Sequence, residues 1–296
     1  MPIIHTRDGT GLFVKDWGEG RPVILTHGWP LSADMWDEQA MALAEVGYRV
    51  IAYDRRGFGR SDQPWSGYDY DTLADDLADV MREIGADTNA TIVGFSMGGG
   101  EIARYMSRHN GRNVIAAGLI ASVVPSMLKT ADNPNGVPED AFREIGEGIK
   151  KDRAYFFRRT FFPQFFGVGY ITSPVSDDVL DMATAVALQA GLRPTLACAR
   201  AFAHTDFKDD LASFRVPTLI VHGTADKTVP IEATARRAAK LIQQAQLIEY
   251  DGQPHALNVT AGARLSQTLL SFLGQTASTA PRPSAGDTRP PPAHMN

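Results

Sequence analysis

The sequence predicts an α/β chain in which a mostly parallel, eight-stranded sheet is flanked by helices and carries a helical insertion. Three observations lead there. Short apolar, β-branched runs alternate with amphipathic helical stretches across residues 22–121 and again across 217–272. Right-handed crossovers turn that rhythm into a parallel sheet covered on both faces. Residues 122–214 show helical periodicity but no convincing strand. The chain has 296 residues and is 44% hydrophobic, enough for a large core.

Taken in order, residues 3–17 read as two strands around a turn at Asp8, Gly9 and Thr10, an antiparallel edge hairpin. A strand at 22–26 ends in His27-Gly28-Trp29-Pro30. Ser32 is placed to cap a helix that runs to about Val46 and stops at Gly47. The strand at 48–53 leads into a glycine-rich loop that starts at Asp54. Leu73, Leu77, Val80, Met81 and Ile84 recur at helical spacing, which gives one apolar face and assigns Asp75, Asp76 and Asp79 to water. Strands follow at 91–95 and 114–121, with a helix from Gly98 between them.

The insertion is expected to hold helices at 139–159, 176–190 and 195–205 and to form a cap over one end of the sheet. Its aromatic residues are Tyr155, Phe156, Phe157, Phe161, Phe162, Phe165, Phe166 and Tyr170. They staple the cap to the core, or two or three of them line a small apolar pocket. The rhythm resumes with strands at 217–221 and 246–250 and helices at 231–242 and 261–272. Beyond Gly274 the chain is rich in Pro, Ala, Ser and Thr and cannot bury enough surface to offset ordering. The expected organisation is therefore core 1–122, cap 123–214, core 215–274 and a disordered tail 275–296.

Composition narrows the function. A net charge of −5 and a pI near 5.8 give no attraction to nucleic acid or to an anionic membrane. Cys198 is the only cysteine, which excludes an internal disulfide and any CxxC site and leaves it a packing role. No stretch of eighteen apolar residues occurs and no apolar segment follows a basic N-terminus, so a cytoplasmic protein is expected. The histidines lack metal-ligand spacing, and no metal is expected.

The chemistry centres on Gly94-Phe95-Ser96-Met97-Gly98, which matches G-x-S-x-G between a strand and a helix. Glycines at both flanks let the backbone bend tightly and push the Ser96 hydroxyl outward. A serine needs a base, and the base needs a carboxylate to orient it. Asp226 lies just beyond the strand at 217–221, and His255 lies just beyond the strand at 246–250. Sites on parallel sheets sit at such carboxyl ends. Ser96, Asp226 and His255 are therefore the candidate triad, in the order nucleophile, acid, base. The backbone N–H groups of Met97 and Trp29 are the candidate oxyanion donors. His27 and His222, at strand ends beside glycines, are expected to bond to local backbone.

With HGWPLSADMW, DRRGFGRSDQPW, GFSMGGGEIARY, VHGTADKTVP and His255 in view, the chain resembles the α/β-hydrolase superfamily over about residues 3–274. Within it, these motifs are similar to those of the cofactor-free (non-haem) haloperoxidases and aryl esterases. The resemblance implies an α/β-hydrolase fold and a serine hydrolase of small carboxylic esters. It also implies a perhydrolase activity in which hydrogen peroxide and a carboxylic acid give a peracid that oxidises halide. No cofactor and a homo-oligomer are likewise implied. Asp54 matches a structural position, Pro30 matches members that favour peroxide, and Ala256 departs from the usual glycine after the histidine. The other readings are a lactonase or carbon-carbon hydrolase on the same fold, or a ligand-binding receptor with a vestigial triad. A dehalogenase or epoxide hydrolase would carry an aspartate where this chain has Ser96.

Overall fold

The computed structural model describes residues 2–169 and 173–279. Eight strands form one sheet: β1 (Ile3–His5), β2 (Gly11–Trp17), β3 (Arg21–Thr26), β4 (Tyr48–Tyr53), β5 (Ala90–Phe95), β6 (Val114–Ile120), β7 (Thr218–Gly223) and β8 (Ala245–Tyr250). Their order is β1-β2-β4-β3-β5-β6-β7-β8. The β1-β2 hairpin pairs Ile4 with Leu12, and β2 runs antiparallel to β4. All the remaining pairings are parallel. Strands β5 and β7 are buried at every position, as expected where helices cover both faces of a sheet.

On the first half of the sheet, Ser32 caps a 3₁₀ turn (Ala33–Trp36) that leads into α1 (Asp37–Ala44). Helices α2 (Tyr70–Glu83) and α3 (Met97–Arg108) follow. Helix α2 buries Leu73, Leu77, Val80 and Met81 as its period demands. Its acidic face departs from expectation. Asp76 and Asp79 are 2% and 0% exposed. Both Asp76 oxygens accept from the Arg56 guanidinium at 2.6 Å. Asp79 accepts the Arg7 backbone N–H at 2.8 Å and its guanidinium at 3.0 Å. The β1-β2 turn and the glycine-rich loop lay these arginines across the helix, and a buried carboxylate persists only when so paired.

Between β6 and β7 lie α4 (Glu139–Lys151), α5 (Asp177–Gln189) and α6 (Leu192–His204). The helix expected over 139–159 is broken at Asp152. That residue takes an extended conformation (φ −159°, ψ 94°), and its side chain accepts the Tyr155 N–H at 2.9 Å, capping a fresh turn. A π-helical stretch, Phe156–Phe161, and a short turn, Phe162–Phe165, follow. The second half of the sheet is flanked by α7 (Ala235–Leu241) and α8 (Gly262–Thr279). Helix α8 continues through Gly274, where the tail was expected to begin. No proline intervenes before 281, and the buried Thr276 hydroxyl bonds the Leu273 carbonyl at 3.0 Å. The rest of the expected tail, 280–296, lies outside the described residues, as does Tyr170. No helix among the described residues is long and apolar enough to cross a membrane.

Candidate active site

Strand β5 ends at Phe95 and α3 begins at Met97, leaving Ser96 at the bend with φ 53° and ψ −117°. A non-glycine residue held there costs about 1–3 kcal/mol and needs its surroundings to hold it. They do so through backbone bonds: the Ser96 N–H donates to Ile120 O at 2.8 Å, and its carbonyl accepts from Gly99 N–H at 3.0 Å. A Cβ on Gly94 would fall 2.4 Å from the Gly98 carbonyl, so the two arms of the bend pass too close for a side chain.

The loops after β7 and β8 bring Asp226 and His255 to this point. His255 Nε2 lies 2.9 Å from Ser96 Oγ, and His255 Nδ1 lies 2.6 Å from Asp226 Oδ2. Exposures of 7%, 7% and 1% for Ser96, Asp226 and His255 place this chain almost out of water. Asp226 accepts only, so Nδ1 carries the proton and the Nε2 lone pair faces the hydroxyl. Asp226 Oδ1 accepts the N–H groups of Thr228 and Val229 at 2.9 and 2.7 Å. Burial pushes this carboxyl upward, but the electrostatic pull of the His255 ring and polar contacts from His222 and His255 outweigh it and hold it well below the usual carboxylate range. The Phe95 and Phe165 rings flank the His255 ring at 5.1 and 5.0 Å and limit its rotation. Ala256 takes φ −75°, open to any residue, and is fully buried. Its N–H donates to Phe165 O at 3.0 Å, so the histidine loop is kept without the glycine.

His222 touches the same acid. Its Nε2 lies 2.8 Å from Val229 O, the local backbone bond expected of it, and also 3.1 Å from Asp226 Oδ2. The only trace in the sequence was a histidine four residues before the acid, across a strand end. His27 behaves as expected: its Nδ1 is 2.9 Å from Gly28 O, and burial and the Arg55 charge push it well below the ordinary histidine value.

Trp29 and Met97 flank Ser96. Met97 opens α3, where backbone N–H groups have no helical partner. A Cβ on Gly28, next to Trp29, would lie 3.3 Å from Ser96 Cβ, so the two segments run side by side. The Trp29–Pro30 peptide is cis. Beneath them sits a buried ion pair that the sequence did not disclose. The Arg55 guanidinium pairs with Glu101 of α3 and donates to His27 O at 2.6 Å, and the Tyr53 hydroxyl donates to Glu101 at 3.1 Å. The pair joins the loop bearing Trp29 to the helix that starts at Met97. Asp54 is structural in the same way, accepting the Ala33 and Arg60 N–H groups at 2.8 Å each. Cys198 is fully buried, and burial pushes its thiol up to about 12.

Above Ser96 and His255 lies a cavity of about 770 Å³, walled mostly by apolar side chains such as Val123, Met127, Phe142, Ile145 and Phe202. It is apolar as expected but not small, since drug-sized ligands fill pockets of about 300–1,000 Å³. The aromatic cluster divides between its two expected roles. Tyr155, Phe156 and Phe161 line the cavity, whereas Phe157, Phe162, Phe165 and Phe166 are buried and do not line it. The Trp29 indole meets the edges of Phe157, Phe161 and Phe202 at 5.7, 5.1 and 5.4 Å, and its N–H donates to Thr195 O at 3.0 Å.

Known proteins share this arrangement of the chain. A family model described as alpha/beta hydrolase fold matches residues 21–166. The chain is 42% identical to the non-heme chloroperoxidase CPO-A1 of Kitasatospora aureofaciens, over 93% of this chain and 100% of the relative. It is 38% identical to the bifunctional esterase/perhydrolase DCH of Acinetobacter calcoaceticus, over 92% and 99%. The crystal structure of a bromoperoxidase from Bacillus anthracis superposes with a TM-score of 0.87 at 39% identity, covering 92% of this chain and 98% of that one. From its sheet order, its strand-to-helix bend at Ser96 and these relatives, the chain belongs to the non-heme chloroperoxidase family of the alpha/beta hydrolase fold.

Proposed function

We propose that the protein is a serine hydrolase of aryl and alkyl carboxylic esters that also acts as a perhydrolase when hydrogen peroxide resolves its acyl-enzyme. The observation that carries this reading is the unbroken line from Asp226 through His255 to Ser96, at 2.6 and 2.9 Å. Ser96 Oγ attacks the ester carbonyl while His255 Nε2 takes its proton. The N–H groups of Trp29 and Met97 receive the developing oxyanion. Collapse of the tetrahedral intermediate breaks the ester C–O bond, and His255 returns the proton to the departing alkoxide. Water or hydrogen peroxide then attacks the acyl carbon, His255 takes that proton, and Ser96 leaves as the free hydroxyl. Water releases a carboxylic acid and peroxide releases a peracid, which oxidises halide in solution. Running the hydrolytic second half backwards from a carboxylic acid, with loss of water, forms the same acyl-enzyme, and attack by peroxide then gives the same peracid. The names of two relatives, a chloroperoxidase and a bifunctional esterase/perhydrolase, support a reading with both a water and a peroxide outlet.

The test is p-nitrophenyl acetate turnover with and without hydrogen peroxide, on the wild type and on Ser96→Ala. Both activities are expected to fall together by about 10⁶-fold. Peracid formation that survives in a folded Ser96→Ala protein would separate the two activities and defeat the shared intermediate.

A further inference from the structure

We propose that His222 is a positioning residue of the acyl-transfer site, holding the Asp226 carboxylate in the orientation that aligns His255. The inference rests on the triad reading above. His222 is fully buried at the end of β7, and its Nε2 faces two oxygens, Val229 O at 2.8 Å and Asp226 Oδ2 at 3.1 Å. Its Nδ1 is buried with no hydrogen-bond partner among the described residues. These surroundings select one form of the ring. A proton on Nδ1 would set the Nε2 lone pair against two oxygens, and a doubly protonated ring would bury an unpaired N–H. The neutral ring with its proton on Nε2 meets neither penalty, so Nε2–H donates to Val229 O at 2.8 Å and faces Asp226 Oδ2 at 3.1 Å.

This donor completes the hold on the acid. Asp226 Oδ1 is fixed by the Thr228 and Val229 N–H groups, and Oδ2 is bonded to His255 with the polar edge of His222 3.1 Å away. Val229 is gripped twice, since its N–H donates to Oδ1 while its carbonyl accepts from His222. It also lines the cavity above Ser96. His222, Asp226 and Val229 thus close a small ring that fixes the carboxylate plane. Glu249, the register neighbour of His222 on β8, is occupied by a two-pronged pair with Arg236 at 2.7 and 2.6 Å, so it does not compete for this donor. Without the Nε2–H, Oδ2 is restrained by His255 alone, and the carboxylate edge that aligns the imidazole loses its second support.

The experiment compares His222→Leu, which fills the space without a donor, with His222→Gln, whose amide N–H reaches toward the same oxygens. With p-nitrophenyl acetate, His222→Leu is expected to lower kcat about tenfold or more while KM stays within about twofold, and His222→Gln to restore most of the loss. A folded His222→Leu protein with wild-type kcat would overturn the inference. Should His222→Leu not fold, ¹⁵N spectra of histidine-labelled wild type decide the matter. A protonated Nε2 and bare Nδ1 on His222 support the assignment, whereas the opposite tautomer or a charged ring refutes it. Ser96→Ala separates the two layers of argument. Activity retained in Ser96→Ala sinks the hydrolase reading itself, whereas an inactive Ser96→Ala beside a wild-type-like His222→Leu removes only the role of His222.

Discussion

On the sheet side of the cavity, the groups around Ser96 are joined by charges and directional hydrogen bonds; on the insertion side they are joined by aromatic faces. Below, Arg55 and Glu101 link the Trp29 loop to α3, and backbone N–H groups clamp Asp226. Above, Phe157, Phe161 and Phe202 meet the Trp29 ring edge-on, and Phe156 and Phe161 form cavity wall. Hydrogen bonds weaken steeply with angle, whereas ring packing tolerates a change of partner at modest cost. The lower half is therefore built to keep atoms in place for the reaction, and the upper half to decide what lies against them.

Removing one partner of the buried pair should break this arrangement hardest. Glu101→Ala leaves the Arg55 guanidinium buried and unpaired, and a loss of about 3–5 kcal/mol is expected in denaturant unfolding. The double variant Arg55→Met/Glu101→Leu should recover most of that stability, because an apolar pair of similar volume replaces two buried charges. A single variant as stable as the wild type would mean the pair is not what holds the lower half.

A smaller effect is expected from above. Phe161→Ala removes a ring that touches both the cavity and Trp29. Roughly tenfold in kcat/KM should be lost for aromatic esters, with acetate esters changed much less. Equal losses on both substrates would show that Phe161 serves the machinery and not selection.

The smallest effect concerns the outer rim of the lower half. Burial pushes Asp79 upward, but hydrogen bonds from Arg7 and Arg82 outweigh it and hold the carboxyl below its usual range. A depressed carboxyl adds stability above its unfolded value of about 3.9 and loses it as pH falls toward the folded value. The Tm gap between wild type and Asp79→Asn should therefore be widest at neutral pH and close below about pH 4. A gap independent of pH would assign the Asp79 contribution to packing.

These halves also differ in how far they could be read from the sequence. The sheet, its order of helices and the positions of Ser96, Asp226 and His255 follow from local signals: apolar runs, a glycine-flanked serine, and loops after parallel strands. Long-range pairings leave no such mark. Asp76 and Asp79 read as a solvated face because nothing nearby in the chain announces Arg56 and Arg7 as their partners. The ion pair of Arg55 with Glu101 was hidden for the same reason, whereas the contact of His222 with Asp226, only four residues apart, was hidden because a strand end and a turn bring them together and neither has a side-chain spacing rule. The break at Asp152 had a local cause, but a helical period reports apolar spacing and not a side chain that captures a backbone N–H. For the aromatic cluster, composition indicated the material of the cavity wall, while the choice of Phe156 and Phe161 over Phe157 and Phe162 came from the π-helical turn that aims them.

The account stands on a covalent acyl group carried by Ser96, and rapid quenching of the p-nitrophenyl acetate reaction followed by peptide mass spectrometry looks for it directly. A single acetyl group on Ser96, present in the first turnovers and cleared faster when hydrogen peroxide is added, is the predicted result. Steady turnover with Ser96 unmodified, or an acetyl group on another residue that forms and decays at the rate of turnover, would contradict it.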